Sequence, residues 1–141
     1  MQYSVVIPIY NEEENIHILH DRLYQVMAKL SDAFEFIFVN DGSRDKSIAL
    51  IRQLSQEKTY IKYIDLSRNF GHQIAVTAGL DLSKGERVVI IDADLQDPPE
   101  LIHEMAQKMD QDYEVVYAKR NKRKGESWFK LFTASLFYRV L

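Results

Sequence analysis

A group of oxygen-bearing side chains follows an apolar stretch at residues 88–91, which has the pattern of a buried parallel strand. The group consists of Asp92, Asp94, Gln96 and Asp97. Carboxylates this close together repel one another unless a cation lies among them. Oxygen ligands of this kind suit Mg²⁺ or Mn²⁺, which keep coordination positions open for phosphate oxygens. The sequence therefore predicts a divalent-cation site here, although a solvated acidic turn is the alternative for the Asp-X-Asp motif taken alone.

Polar residues also follow the two earlier strand-like segments. Asn11 and Glu12 come after the first segment, and Asp41-Gly42-Ser43 come after the second. One such loop could be an ordinary helix cap. Since open α/β sheets bind ligands at the carboxyl ends of their strands, the three loops together predict a cleft for a base, a ribose, a diphosphate and a cation. The sequence contains no glycine-rich phosphate loop, so the cation would have to neutralise the phosphates.

Strand and helix patterns alternate along the chain with short connections, which predicts an α/β fold with a central, mostly parallel sheet. The predicted strands cover residues 3–9, 34–40, 60–65, 87–92 and 114–118. Four helices separate the strands, with apolar residues at helical spacing. We expect the first helix to be capped by Asn11, the third to cover 71–82 and the fourth to cover 99–109.

The composition is that of one ordinary globular domain of 141 residues. The sequence contains no cysteine, no signal-peptide pattern and no apolar run long enough to span a bilayer, so we expect this chain to be soluble and cytoplasmic. Most of the chain is acidic, and its basic residues do not form a broad cationic face, so nucleic acid is not an expected partner. The sequence leaves the oligomeric state open.

The last part of the chain has a different character. Residues 119–141 contain seven Lys or Arg and one Glu, a net charge of +6, whereas the whole chain has a net charge of −3. Apolar side chains at 128–141 would cover nearly the whole circumference of a helix, about 21 Å long and therefore too short to cross a bilayer. We expect a basic loop followed by an apolar helix, which either lies on an anionic membrane surface or packs into a core.

The motifs, taken together, resemble those of family 2 inverting glycosyltransferases. Residues 5–12 read Val-Val-Ile-Pro-Ile-Tyr-Asn-Glu, residues 39–43 read Val-Asn-Asp-Gly-Ser, and residues 92–94 read Asp-Ala-Asp. Four further stretches narrow the resemblance to polyisoprenyl-phosphate glycosyltransferases, a group that includes bactoprenol glucosyltransferases, undecaprenyl-phosphate aminoarabinose-type transferases and dolichol-phosphate mannose synthase. These stretches are residues 66–73, 78–81, 94–100 and 119–130, with Phe-Tyr-Arg at 137–139.

The resemblance implies the GT-A fold and a role for each matching position. Asp94 and Asp92 would be the catalytic carboxylates, and they would hold Mg²⁺ or Mn²⁺ together with Gln96. Arg120 and Arg123 would meet phosphate groups of the donor or the acceptor. The remaining substrate contacts would come from Pro8, Tyr10, Glu12, Val39, Asp41, Asp92 and Ala93. Arg68 has a weaker claim to a phosphate contact, because it could equally be a surface partner of a nearby acid. His72 is interpreted as a structural or helix-start histidine rather than a catalyst.

The activity that the resemblance implies is transfer of a hexose from a UDP- or GDP-linked sugar to a polyprenyl phosphate, with inversion and with help from a metal. It also implies a location on the cytoplasmic face of a membrane and further catalytic-domain sequence beyond residue 141, so we expect residues 1–141 to be the N-terminal part of that domain. Three alternatives remain open at this point. The first is a family 2 transferase acting on sugar hydroxyls, and the second is a non-enzymatic receiver-type domain with a phosphorylatable aspartate. The third is an inert fragment that folds without activity.

Overall fold

Four parallel strands form the centre of the computed structural model, which describes residues 1–117 and 130–132. The strands are β1 (Tyr3–Ile9), β2 (Phe34–Asn40), β3 (Ile61–Asp65) and β4 (Arg87–Ile90). Their order in the sheet is β3-β2-β1-β4, so β1 lies between β2 and β4. All the loops at the carboxyl ends of these strands therefore emerge at one edge of the sheet.

Helices cover both faces of the sheet. They are α1 (Ile16–Leu30), α2 (Ser47–Glu57), α3 (His72–Leu82) and α4 (Ile102–Asp110), the last preceded by a 3₁₀ turn at Pro99–Leu101. Because side chains alternate along a strand, Val5 and Ile7 pack in the core formed with α1, α2 and α4, whereas Val6 packs on the opposite face with Ala75 of α3. The predicted α/β architecture is thus what the structure has.

Two local predictions need correction. Asn11 does not cap the first helix, because α1 begins only at Ile16 and Asn11 has a positive φ of 53°. The side chain of Asn11 bonds instead to the loop after β2. The fourth strand ends at Ile90, two residues earlier than predicted, so Asp92 lies in a loop.

The prediction of a helix over 128–141 is wrong at residues 130–132. These residues form β6 (Lys130–Phe132), which pairs antiparallel with β5 (Val115–Tyr117) and lies close to β4. An apolar stretch without a clear period fits a strand as well as a helix, so periodicity cannot separate the two. The rest of the predicted basic loop and helix lies outside the described residues. Within residues 1–117 and 130–132, no helix is both long and apolar enough to cross a bilayer.

A buried carboxylate, Glu35, joins elements at the end of the sheet opposite the strand-end loops. It accepts hydrogen bonds from Ser4 Oγ at 2.7 Å, from Lys62 Nζ at 2.6 Å and from the backbone N–H of Lys84 at 2.8 Å. Burial by itself would raise the pKa of Glu35, but the hydrogen bonds from Lys62, Ser4 and the Lys84 backbone, with the charge of Lys62, hold that pKa below its usual value. Glu35 is therefore ionised and connects β1, β2, β3 and the turn after α3.

Replacing Lys62 by methionine should lower the free energy of unfolding by about 2 kcal/mol at pH 7, because a buried carboxylate loses its charged partner, which is itself partly exposed. A carboxyl group whose pKa is lower in the folded state stabilises the fold at pH values above its unfolded-state pKa. This stabilisation is lost as the pH falls through the folded-state pKa. The difference in the free energy of unfolding between wild type and Lys62→Met should therefore become smaller below about pH 4. Urea unfolding at several pH values measures it, with the exposed Lys58→Met as control. Equal losses in both variants would contradict this account.

Candidate functional site

The strand-end loops and the start of α3 line a cleft of about 310 Å³. The loops follow β1, β2 and β4, and they meet because β1 is hydrogen-bonded to β2 on one side and to β4 on the other. The lining residues are Pro8, Ile9, Tyr10, Glu12, Asp41, Asn69, Gly71, His72, Asp92, Ala93 and Asp94.

The loop after β1 is joined to the loop after β2 by reciprocal hydrogen bonds. The backbone N–H of Asn11 donates to Ser43 Oγ at 2.9 Å, and the backbone N–H of Arg44 donates to Asn11 Oδ1 at 2.8 Å. The backbone N–H of Glu12 donates to Ser47 Oγ at 3.0 Å. These bonds fix one side of the cleft, where the ring of Tyr10 is 47% exposed and available to a ligand.

Asp41 connects the end of β2 to the start of α3. Its carboxylate is buried and accepts the backbone N–H of Phe70 at 2.7 Å and that of Gly71 at 3.1 Å. The side-chain amide of Asn69 donates to the Asp41 carbonyl at 3.0 Å. Asp41 thus lines the cleft, and each of its carboxylate oxygens accepts a hydrogen bond from the loop before α3. These bonds hold that loop in place.

The acidic loop after β4 presents Asp92 and Asp94, which are both exposed, around a buried Ala93. Asp94 Oδ1 accepts the backbone N–H of Gln96 at 3.1 Å, in a turn where Leu95 has a positive φ of 63°. Asp92 Oδ1 lies 2.9 Å from His72 Nε2. Each carboxylate therefore has one oxygen fixed by a nitrogen.

The far end of the acidic loop is anchored to α1. Arg22 contacts both carboxylate oxygens of Glu100, with its Nη2 at 3.0 and 2.9 Å. The Arg22 guanidinium is the main reason that the pKa of Glu100 lies below its usual value. This ion pair is partly exposed and therefore weak, but its forked geometry orients the 3₁₀ turn that follows Asp97 and Pro98.

The cleft brings together most of the substrate and metal residues predicted from the sequence. Two predicted residues lie elsewhere: the side chain of Val39 is fully buried in the core against α3, and the side chain of Gln96 is exposed outside the cleft lining. Arg120 and Arg123 lie outside the described residues. The residues that meet in the cleft are Pro8, Tyr10, Glu12, Asp41, Asp92, Ala93 and Asp94.

The sequence interpretation left out His72, which was taken to be a structural or helix-start histidine, and it also left out the neighbouring Asn69 and Gly71. The structure places all three in the cleft lining. A usable signal was present, because residues 66–73 contribute to the family resemblance and follow the third strand directly. Nothing in the local pattern, however, shows that the start of α3 meets the loop after β4.

The donor set fits a cation that shares its coordination with a phosphate-bearing ligand. Asp92 and Asp94 supply exposed carboxylate oxygens, as Mg²⁺ and Mn²⁺ prefer. Among residues 1–117 and 130–132, no group of three His, Cys, Asp or Glu side chains could enclose a metal ion. Magnesium sites usually take one or two carboxylates and complete their coordination shell with water and substrate phosphates. Two exposed carboxylates are therefore enough for a cation that binds together with a phosphate-bearing ligand.

Comparison with known proteins gives a family and several relatives. The family model described as "Glycosyl transferase family 2" matches residues 4–138. The chain is 57% identical over 141 residues to the "Uncharacterized glycosyltransferase YkcC" of Bacillus subtilis, and it covers 44% of that protein. It is 36% identical over 140 residues to the "Prophage bactoprenol glucosyl transferase homolog" of Escherichia coli, covering 99% of this chain and 46% of that one.

A third relative is the "Undecaprenyl-phosphate 4-deoxy-4-formamido-L-arabinose transferase" of Pseudomonas aeruginosa, 39% identical over 126 residues, or 89% of this chain and 37% of that one. The chain thus spans less than half the length of these curated relatives. Among solved structures, the mannosyltransferase PcManGT from Pyrobaculum calidifontis superimposes with a TM-score of 0.75 at 22% identity, covering 99% of this chain and 46% of that one. The predicted GT-A fold is confirmed.

Replacing Gly42 by alanine should lower the free energy of unfolding by about 2 kcal/mol and loosen the cleft. Gly42 has a φ of 72°, which strains an L-residue, and an added Cβ would overlap the backbone nitrogen of Asn69. Urea unfolding measures the loss, and Ser67→Ala, at an exposed position nearby, serves as control. If the urea midpoint of Gly42→Ala equalled that of wild type, the close approach of Gly42 to the backbone of Asn69 would be refuted.

Proposed function

The chain belongs to glycosyl transferase family 2, and we propose that the intact protein transfers a hexose from a nucleotide-diphospho-sugar to a polyprenyl phosphate. In this proposal residues 1–141 form the N-terminal part of the catalytic domain. Membership of the family excludes the receiver-type alternative.

The observation that carries the proposal is the convergence of strand-end acids in one cleft. Glu12, Asp41 and Asp94 come from three separate loops and line the same cavity. The relatives named for bactoprenol and undecaprenyl phosphate support the lipid-phosphate class of acceptor. They also support action at a membrane, which we propose to be its cytoplasmic face.

The donor nucleotide would lie along the loops after β1 and β2. The exposed side chain of Tyr10 offers an apolar surface to a base, and Glu12 offers carboxylate oxygens to base or ribose donors. Asp41 would accept such a donor through the lone pairs that its two backbone hydrogen bonds leave free. Pro8 lines the same cleft. Both UDP and GDP donors fit this description, because an acidic oxygen can accept from uracil or from guanine.

The diphosphate would lie against the acidic loop, where like charges require compensation. Asp94 and Asp92 would hold a divalent cation, with Gln96 as a further ligand after rotation of its exposed side chain. Such a cation, when bound, acts as a Lewis acid that stabilises the charge developing on the departing nucleotide diphosphate. The mannosyltransferase with the same fold was solved with GDP-Man and Mn²⁺.

The acceptor determines whether the site needs a base. A sugar hydroxyl must lose a proton as it attacks, which calls for a positioned carboxylate or histidine. A phosphate monoester has a second pKa near 6, so it already offers an anionic oxygen at neutral pH. Attack by that oxygen on the face of C1 opposite the diphosphate inverts the anomeric centre. Cationic guidance, which we assign to Arg120 and Arg123, then replaces the general base.

Nucleotide binding should depend on a divalent cation and on Asp94. In a thermal-shift screen of the intact protein, UDP, GDP and their sugar conjugates should raise the melting temperature more with Mn²⁺ or Mg²⁺ than with a chelator. Asp94→Asn should remove most of that metal-dependent increase, since an amide is a poorer cation ligand than a carboxylate. Asp112→Asn, an exposed aspartate remote in sequence from the cleft loops, is the control. Metal-independent stabilisation by every nucleotide would count against the proposal.

Replacing Arg120 and Arg123 by alanine in the intact protein should lower transfer to a polyprenyl phosphate by about tenfold or more for each charge removed, because each loses a charge-assisted hydrogen bond to phosphate. Product analysis with radiolabelled UDP- and GDP-sugars and a short polyprenyl phosphate measures this transfer. Lys58→Ala provides the matched loss of an exposed cation. Undiminished transfer would refute the arginine roles, and label appearing only on oligosaccharide hydroxyls would refute the acceptor class.

A further inference from the structure

The two carboxylates of the acidic loop are held in different ways. Asp94 is fixed within its own turn, by the backbone N–H of Gln96 two residues later. Asp92 is fixed from a distance, by the imidazole of His72, which precedes it by 20 residues and belongs to α3. Within the described part of the chain, the second oxygen of each carboxylate makes no hydrogen bond. The arrangement therefore leaves one oxygen of each acid available to a ligand.

We propose that His72 is a positioning residue that orients Asp92, so that the free oxygen of this carboxylate faces the cation and diphosphate. The inference rests on the proposed function and adds a residue to its site. Because an ionised carboxylate only accepts hydrogen bonds, Nε2 of His72 carries the proton in this contact. Ligating carboxylates are generally oriented by such outer partners, whose loss costs about 10- to 100-fold in metal affinity or activity.

The position of His72 is itself fixed by the loop before α3. His72 is the first residue of α3, and the preceding Gly71 has a φ of 105°. The backbone N–H groups of Phe70 and Gly71 donate to Asp41, so the histidine backbone is fixed relative to the end of β2. The contact between His72 and Asp92 thus links the loop after β2, along which we place the nucleotide, to the acidic loop.

The exposure of the pair sets the expected size of the effect. The side chains of His72 and Asp92 are 61% and 51% exposed, so water competes for their hydrogen bond. Loss of the histidine should therefore weaken cation-dependent nucleotide binding by about tenfold, the lower end of the 10- to 100-fold range, without abolishing it. Nucleotide binding in the absence of a cation should change little, because Tyr10, Glu12 and Asp41 are untouched.

Calorimetric titration of the intact protein with UDP and with GDP, each with Mn²⁺ and with a chelator, tests the role. His72→Leu should weaken Mn²⁺-dependent binding about tenfold and leave binding with the chelator unchanged. His72→Gln should recover most of the loss, because its amide can still donate to Asp92. His17→Leu makes the same change at an exposed position on α1 and should have no effect.

Asp92→Asn separates failure of this inference from failure of the proposed function. If Asp92→Asn weakens Mn²⁺-dependent binding and His72→Leu does not, the positioning role is overturned and the proposed function stands. If His72→Leu weakens binding equally with Mn²⁺ and with chelator, or His72→Gln recovers nothing, the histidine is structural and the role is again overturned. If the wild type binds neither nucleotide under either condition, the proposed function fails and this role fails with it.

Discussion

The parallel pairing of β1 with β2 on one side and β4 on the other is the constraint on which the cleft depends. Parallel strands bring their carboxyl ends to one edge, so residues that are 30 to 80 positions apart in the chain become neighbours there. Antiparallel insertion of any of these strands would send its loop to the opposite edge. The nearly continuous apolar run that buries both faces of β1 therefore also decides which polar residues meet.

Carboxylates at the two ends of the parallel strands have different surroundings. At one end Glu35 receives three hydrogen bonds and a lysine charge, and it has no surface left for a ligand. At the other end Asp92 and Asp94 are exposed, and each accepts one hydrogen bond from the described residues. A satisfied buried acid stabilises the fold, whereas a partly satisfied exposed acid retains capacity to bind a cation. The same type of side chain thus serves structure at one end and ligand binding at the other.

Hydrogen bonds from backbone N–H groups to side-chain oxygens join the loops that line the cleft. Bonds from Asn11 and Arg44 join the loops after β1 and β2, and bonds to Asp41 join β2 to α3. Such bonds restrict the loops without filling the space between them. Because the connecting segments are short, movement of one loop must disturb the others. This construction suits a site that has to place a nucleotide and a diphosphate in one fixed relation.

Much of this architecture follows from the sequence by itself. Apolar runs and apolar residues at helical spacing predicted the four strands of the central sheet and the four helices to within a few residues. The carboxylates of the acidic loop predicted a candidate cation site there, and the combined motifs predicted the family. The tertiary structure decided which predicted residues share the cleft: Val39 is turned into the core by strand alternation, and Gln96 lies outside the lining.

Tertiary structure alone also decided the pairing of His72 with Asp92, the use of both Asp41 oxygens by the loop before α3, and the strand at 130–132. Each of these depends on a partner far away in the chain, and local periodicity carries no information about such partners. The sequence determined what chemistry is available at the end of each strand. The packing of α3 and the order of the strands decided which of those groups act together.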